Sequence, residues 1–122
     1  MSNLREFLLK RRGRFYEGEA LSDSVEAFLS MVGRQGVEVH ETPDAIVVLE
    51  PYGVIGCMRG WLLFDKFTRG TVRTMAQVTE GFQGRALYAS THDPRIKDLL
   101  TGLGFVEYQR DATDFYLVKR RG

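Results

Sequence analysis

Two carboxylates in this sequence lie where a catalytic base could sit. Glu50 and Asp65 each follow an apolar run typical of a strand, and a carboxylate at a strand end can take a proton from an amine. Turn carboxylates are more often only solvated. His40, His92 and Cys57 show no spacing typical of a metal site. Glu50 and Asp65 are therefore the only catalytic candidates, and no metal is expected.

The composition predicts one globular domain. A chain of 122 residues that is 43% hydrophobic can build a single core without disulfide bonds or a structural metal, so we expect one domain over residues 1–122. The net charge of +1 gives no general attraction to nucleic acid or membrane. The two ends are locally basic, and they are expected either to contact nucleic-acid phosphate or to be solvated. The candidate phosphate contacts near the start are Lys10, Arg11, Arg12 and Arg14.

Cellular location is constrained by what the sequence lacks. With Cys57 as the single cysteine, no intrachain disulfide can form, which favours a reducing compartment. No apolar run approaches the roughly 18–20 residues of a membrane span. The first residues are charged and carry no apolar signal core. We expect a soluble protein that is not secreted and makes no membrane contact.

The first 36 residues read as two helices. Asn3 and Glu6 form one capping-box pattern, and Asp23 and Glu26 form a second. Beyond them, residues 37–119 read as a sheet with two packed helices. Three strands come first, the third at 54–64; a helix at 71–82 and a strand at 85–90 follow. In that helix we expect Val72, Met75, Ala76 and Thr79 on the buried face.

A second, shorter helix has clear start and stop signals. Asp93 is a good N-cap and Pro94 suits the first helical position, while Gly102 and Gly104 suit the C-terminal end. Four apolar residues at helical spacing predict its buried stripe: Ile96, Leu99, Leu100 and Leu103. Two paired strands follow. The fold class is therefore α+β (mixed α/β), with a mostly antiparallel sheet and a central β-α-β crossover.

The order strand, LL-x-x-LGF helix, strand, strand resembles the C-terminal half of the Gcn5-related N-acetyltransferases (GNATs). It also resembles the internal virion protein A family of short-tailed phages. The first resemblance implies a GNAT-like fold whose loop and helix N-terminus hold the diphosphate of acyl-CoA. The second implies location in a virion or the host cytoplasm, with other phage structural proteins as partners.

Carried onto this chain, the GNAT pattern implies cofactor contacts at the ends of two strands and the start of the first sheet-packed helix. They are Leu63, Phe64, Arg69, Gly70, Thr71, Val72, Arg73, Thr91 and His92. The match is partial. Phe67 stands where the family has a polar or basic residue, and Val72 stands where it has a second small one. A turn glycine with solvated arginines is the alternative explanation for Gly70 and its neighbours.

The GNAT proton donor is also missing. Many members carry a tyrosine on the last helix, and Leu100 stands at that position. These departures favour a degenerate GNAT-like phage protein, virion-associated or an assembly component, with little or no acetyltransferase activity and no bound cofactor. The alternative is an active N-acyltransferase that uses acetyl-CoA, since orientation alone can lower a barrier. A third class is a nucleic-acid contact protein that uses the basic N-terminal arm.

Overall fold

The computed structural model describes residues 29–30, 32–64 and 66–121. The two predicted N-terminal helices therefore lie outside the described residues, apart from helical Leu29, Ser30 and Val32 before Gly33. Six strands and two further helices follow in chain order. They are β1 (Glu38–Glu41), β2 (Ala45–Pro51), β3 (Cys57–Phe64), α1 (Arg69–Gly81), β4 (Ala86–Thr91), α2 (Pro94–Gly102), β5 (Val106–Arg110) and β6 (Phe115–Arg120).

The six strands form one sheet in the order β1-β2-β3-β4-β6-β5. All neighbours are antiparallel except β3 and β4, which are parallel and are joined through α1. This is the predicted crossover, and the predicted α+β class is confirmed. The sheet places the carboxyl ends of β3 and β4 beside each other, with the start of α1 following β3.

Both helices pack on one face of the sheet. Buried residues of α1 and α2 join those of the central strands in a single cluster: Val47, Leu49, Met75, Val78, Leu87, Leu100, Phe105 and Leu117. The predicted stripe of α2 is confirmed, since Leu100 is buried and Ile96, Leu99 and Leu103 pack against this cluster. The opposite face carries a smaller cluster of Cys57, Ala86 and Val118.

The buried face of α1 is rotated from the predicted one. Met75 and Thr79 are buried as expected, but Thr71, Thr74 and Val78 replace Val72 and Ala76, which are only partly buried. The threonines can be buried because their hydroxyls donate to backbone carbonyls, Thr71 to Lys66 at 3.0 Å and Thr74 to Gly70 at 2.8 Å. Apolar periodicity alone could not place Thr71 and Thr74 inside because their burial depends on these hydrogen bonds.

The third strand begins three residues later than predicted. Residues 53–56 form a turn in which Gly53 and Gly56 have φ of +74° and +92°. The Cys57 N–H donates to the Val54 carbonyl at 3.1 Å and closes the turn. Ile55 is consequently at the tip, 95% exposed. The prediction of a strand from residue 54 was wrong because the apolar run continues through a turn set by the two glycines.

Candidate functional site

The parallel strands β3 and β4 separate part-way along their length. They pair at only three positions, Cys57 with Ala86, Met58 with Leu87 and Arg59 with Tyr88. Both continue as strands beyond this point, β3 to Phe64 and β4 to Thr91, without pairing to each other. The two strands thus form an open V at their carboxyl ends. Backbone groups that face each other across such a gap are positioned to bond an extended ligand.

A cavity of about 70 Å³ lies at the V, lined mainly by apolar residues of the sheet and both helices. Gly60 lies where the strands part, and a Cβ there would already be 3.4 Å from Leu49 and 4.0 Å from the Tyr88 carbonyl. Leu100 also lines this cavity and is only 4% exposed. The opening therefore exists, but the cavity on its helix-covered side is small and mainly apolar.

The helix α1 begins at the mouth of the V with a reciprocal cap. The Thr71 N–H donates to the Thr68 hydroxyl at 3.3 Å, and the Thr68 N–H donates to the Thr71 hydroxyl at 3.1 Å. The N–H groups of Arg69 and Gly70 have no acceptor among the described residues. These two N–H groups and the helix dipole favour an anion.

A carboxylate lies against the first turn of α1, beside Gly70. Asp44, in the β1–β2 turn, lies so close to Gly70 that a Cβ on this glycine would overlap its carboxyl group. The turn is held there because the Thr42 hydroxyl accepts the N–H of Asp44 at 3.3 Å and shares a 2.8 Å hydrogen bond with Thr74 of α1. No pattern in the sequence near residue 70 reveals this contact, which joins positions 26 residues apart.

The predicted cofactor residues lie on three segments at this end of the sheet. Leu63 and Phe64 end β3, residues 69–73 begin α1, Thr91 ends β4 and His92 follows it. The rings of Phe64 and Phe67 are 5.6 Å apart, so Phe67 packs on the end of β3. The Arg95 guanidinium lies 5.8 Å from the Phe67 ring, which brings the starts of α1 and α2 together.

Individual side chains differ in their exposure. Arg69, Arg73 and His92 are exposed, whereas Leu63 and Thr71 are buried, Thr71 completely. The Thr91 hydroxyl accepts the N–H of Asp93 at 3.1 Å, and Asp93 caps α2 as predicted. A hydrogen bond from Arg95 holds the pKa of Asp93 below its usual value. A role for these residues in cofactor binding stays a prediction.

The candidate base Glu50 lies on the opposite face of the sheet. Its Oε1 accepts hydrogen bonds from Arg59 at 2.9 and 2.6 Å and from the Trp61 indole at 2.9 Å. The Arg59 guanidinium also stacks on Tyr52 and Trp61, 5.0 and 4.8 Å from their ring centres. The ion pair and these ring contacts hold Glu50 as part of a packed cluster. Asp65, the other candidate, lies outside the described residues.

A tyrosine cluster on the same face was not predicted from the sequence. Tyr88 contacts Tyr52 and Tyr108, with ring centres 5.1 and 6.0 Å apart. Burial raises the pKa of Tyr108, and the neighbouring tyrosines add to the shift. Within the described part of the chain, no group of histidine, cysteine and carboxylate side chains could hold a metal ion. No described helix is long and apolar enough to cross a bilayer.

Solved structures of acetyltransferases share this architecture. A spermidine N-acetyltransferase SpeG mutant from Vibrio cholerae superimposes with a TM-score of 0.69 at 12% identity, over 98% of this chain and 90% of that one. Aminoglycoside 6'-acetyltransferase type Ii gives 0.69 at 14% identity, over 98% and 90%. Campylobacter jejuni PseH, in complex with acetyl coenzyme A, gives 0.65 at 11% identity, over 100% and 93%.

The chain has the GNAT fold. No protein-family model and no curated protein sequence matches it. At identities of 11–14% the structural likeness establishes the fold alone. The resemblance of the sequence to GNATs is thereby confirmed at the level of architecture, and the resemblance to phage internal virion proteins stays a prediction.

Proposed function

We propose that this chain is a GNAT-fold phage protein with little or no acetyltransferase activity, working as a virion-associated or assembly component. The observation that carries the proposal is Leu100. It stands where the GNAT pattern has a tyrosine proton donor, it is 4% exposed, and it packs in the main core. A leucine cannot donate a proton to a leaving thiolate.

The anion site at the start of α1 gives the proposal further support. A diphosphate bound to the N–H groups of Arg69 and Gly70 would bring its charge against the Asp44 carboxylate. Like charges at such short range repel, and the repulsion opposes the attraction of the helix dipole. Exposed Arg69 and Arg73 provide some compensating charge. The residues present therefore fit an acyl-CoA diphosphate poorly while Asp44 stays in place.

Several exposed apolar side chains favour contact with another protein of a phage particle. Val54 and Ile55 in the β2–β3 turn are 63% and 95% exposed, and Val106 and Tyr108 on the edge strand β5 are 65% and 50% exposed. Apolar groups that stay in water at a loop tip and on a sheet edge favour burial against another protein. Other structural proteins of the phage are the partners we propose, through the turn that carries Val54 and Ile55.

Cofactor binding and turnover can be tested together. We expect 1 mM acetyl-CoA to leave the melting temperature of the chain unchanged and no thiol to be released above background with polyamine or peptide amines. A ligand at about 100 times its dissociation constant would add about 2.7 kcal/mol of stability. Asp44→Ala should allow a shift that wild type lacks, and Asp98→Ala, an exposed carboxylate on α2, is the charge-matched control.

Association with particles needs its own test. A tagged chain expressed during infection should sediment with purified particles, and Val54→Ser together with Ile55→Ser should remove it from them. Val106→Ser on the distant edge strand is the control for general loss of apolar surface. Absence of the wild-type chain from both particles and assembly intermediates would refute the virion role, whatever the outcome with acetyl-CoA.

The open V favours a second candidate, an acetyl-CoA-dependent N-acyltransferase. The unpaired edges of β3 and β4 beyond Arg59 and Tyr88 offer backbone partners to the amides of an extended pantetheine arm. When bound, the cofactor would supply the acyl thioester. A saturable thermal shift in the wild-type chain, with thiol release dependent on an amine, would establish this candidate and overturn the first.

A further inference from the structure

Three arginines meet at the end of the sheet opposite the V. Arg120 is the last residue of β6 and pairs with Ala86 at the start of β4. The N–H of Arg121 donates to the carbonyl of Arg85 at 3.0 Å, so these two residues are neighbours on adjacent chain segments. All three side chains are exposed. We call Arg85, Arg120 and Arg121 the arginine triad.

The triad differs from other arginines of the sheet and α2 because it lacks carboxylate partners. Arg59, Arg95 and Arg110 each form an ion pair with a nearby acid. No carboxylate of the described residues lies within ion-pair distance of Arg85, Arg120 or Arg121. Among the described residues, these three guanidinium groups therefore place excess positive charge at one end of the sheet, where like charges on neighbouring strands are destabilising.

The backbone of the triad is fixed by close contacts. The Arg85 N–H donates to the Gly56 carbonyl at 2.6 Å, and the Arg85 stem lies against Gly56, where a Cβ would be 2.9 Å away. The Arg121 guanidinium donates one hydrogen bond to the Gln83 carbonyl, which leaves its other N–H groups available. The charges are thus carried on a rigid part of the fold.

We propose that the arginine triad binds the phosphate backbone of nucleic acid. Arg120 pairs with Ala86, and Arg85 and Arg121 are neighbours just beyond that pair, so the three charges are spread along the end of the sheet. A polyanion that crosses the sheet end can contact all three together. Arginine suits this ligand because its planar donors pair with phosphate oxygens. Contacts to phosphate carry no sequence preference.

The proposal is independent of the acyl-CoA question, because β4 runs from the triad at its start to the V at its end. It extends the sequence-based expectation that the two basic ends contact phosphate by adding Arg85, which precedes β4; the N-terminal candidates Lys10, Arg11, Arg12 and Arg14 lie outside the described residues. Both basic segments can be neutralised separately, and this makes their contributions distinguishable.

Binding of a fluorescent 20-base-pair duplex, measured by anisotropy between 25 and 200 mM salt, tests the proposal. Three phosphate contacts predict a slope of log K against log salt of about −2.7 from the triad. We expect R85Q/R120Q/R121Q to lose that part of the slope and at least tenfold in affinity at low salt. R85K/R120K/R121K should keep most of the binding.

The matched control is R95Q/K97Q/R110Q, which removes three positive charges that are paired with Asp93 or Glu107. It has the same net charge as the triad variant and should keep the wild-type slope. Circular dichroism and melting temperature check that each variant is folded.

Several results would overturn the proposal. They are an equal loss of binding in the control, an unchanged slope in the triad variant, or loss of all binding on neutralising Lys10, Arg11, Arg12 and Arg14. Equal competition by millimolar pyrophosphate would instead indicate a small-anion site. Triad-dependent binding to phosphatidylserine vesicles without binding to the duplex would indicate a membrane surface, and would also reject the proposal.

Discussion

Replacing Glu50 should destabilise the chain because one of its oxygens accepts three hydrogen bonds. Two come from Arg59 and one from the Trp61 indole, all between 2.6 and 2.9 Å. The side chain of Glu50 is 12% exposed, whereas that of Arg59 is 38% exposed. Glu50→Ala thus removes the acceptor at a nearly buried position, while the freed Arg59 head can regain water.

For this reason the hydrogen bonds from Arg59 and from Trp61 contribute unequally to stability. The ion pair to a partly exposed arginine is worth about 0.5–1 kcal/mol after screening by solvent. The hydrogen bond from the Trp61 indole adds about 1 kcal/mol. We therefore expect Glu50→Ala to lower the free energy of unfolding by about 2 kcal/mol, or about 8 °C in melting temperature for a domain of this size. Glu50→Gln keeps an acceptor oxygen and should lose about half as much.

Urea unfolding of Glu50→Ala, Arg59→Ala and the double variant gives the coupling energy directly. Contacting pairs of this kind typically couple by about 1 kcal/mol. Glu41→Ala, which removes an exposed carboxylate from β1, is the control and should be neutral within about 0.5 kcal/mol. A Glu50→Ala variant as stable as that control, or a coupling energy near zero, would refute the interpretation of Glu50 as a structural acceptor.

Three further predictions concern the turns and the core. Gly56→Ala should lower the free energy of unfolding by about 1–3 kcal/mol in chemical denaturation, because φ is +92° and the new Cβ would meet the Arg85 side chain. Gly53→Ala, at φ +74° with no atom within 4 Å of the new Cβ, should cost only the backbone strain. Equal losses of stability in the two variants would exclude the steric contribution. The Asp111 carboxylate accepts the Tyr116 hydroxyl at 2.7 Å, which raises the pKa of Tyr116 to about 12 and lowers that of Asp111. This stabilisation is present below pH 10 and is lost as pH rises toward 12; it is also lost as pH falls below the ordinary pKa of an aspartate. Tyr116→Phe should abolish the alkaline dependence, along with the late-ionising phenol in an absorbance titration. It should only weaken the acid dependence, because Asp111 also accepts the N–H groups of Thr113 and Asp114. Leu117→Ala should cost about 3–4 kcal/mol in urea, since Leu117 is fully buried in the sheet, and a loss below 1 kcal/mol would contradict its place in the core.

Local patterns predicted the elements of the sheet region well. Asp93 and Pro94 start α2 as expected, because capping depends on residues within one turn of each other. The same local logic failed at residues 54–56, where apolar residues continue through a turn. It also misplaced the buried face of α1, since burial of Thr71 and Thr74 depends on carbonyls that only the folded chain brings within reach.

The candidate site was predictable only in outline. Topology brings the ends of β3 and β4 and the start of α1 to one end of the sheet, so the predicted cofactor residues lie on neighbouring segments. The contact of Asp44 with Gly70 and the cluster of Glu50 with Arg59 and Trp61 were not predicted. Each joins different strands or turns, and strand register across a sheet is not encoded in any short window.

By itself, the sequence determined the order of the elements from Val37 onward, the caps of α2 and the leucine at the place of a GNAT proton donor. Residue types and spacings carry that information directly, since helix caps and periodicity act over a few residues. The tertiary structure alone decided that β3 and β4 part after three paired positions, that a carboxylate lies against the first turn of α1, and that three arginines without a carboxylate partner among the described residues lie at the far end of the sheet. These features arise from contacts between segments that are distant in the sequence, and their geometry is fixed only when the whole sheet and its helices pack together.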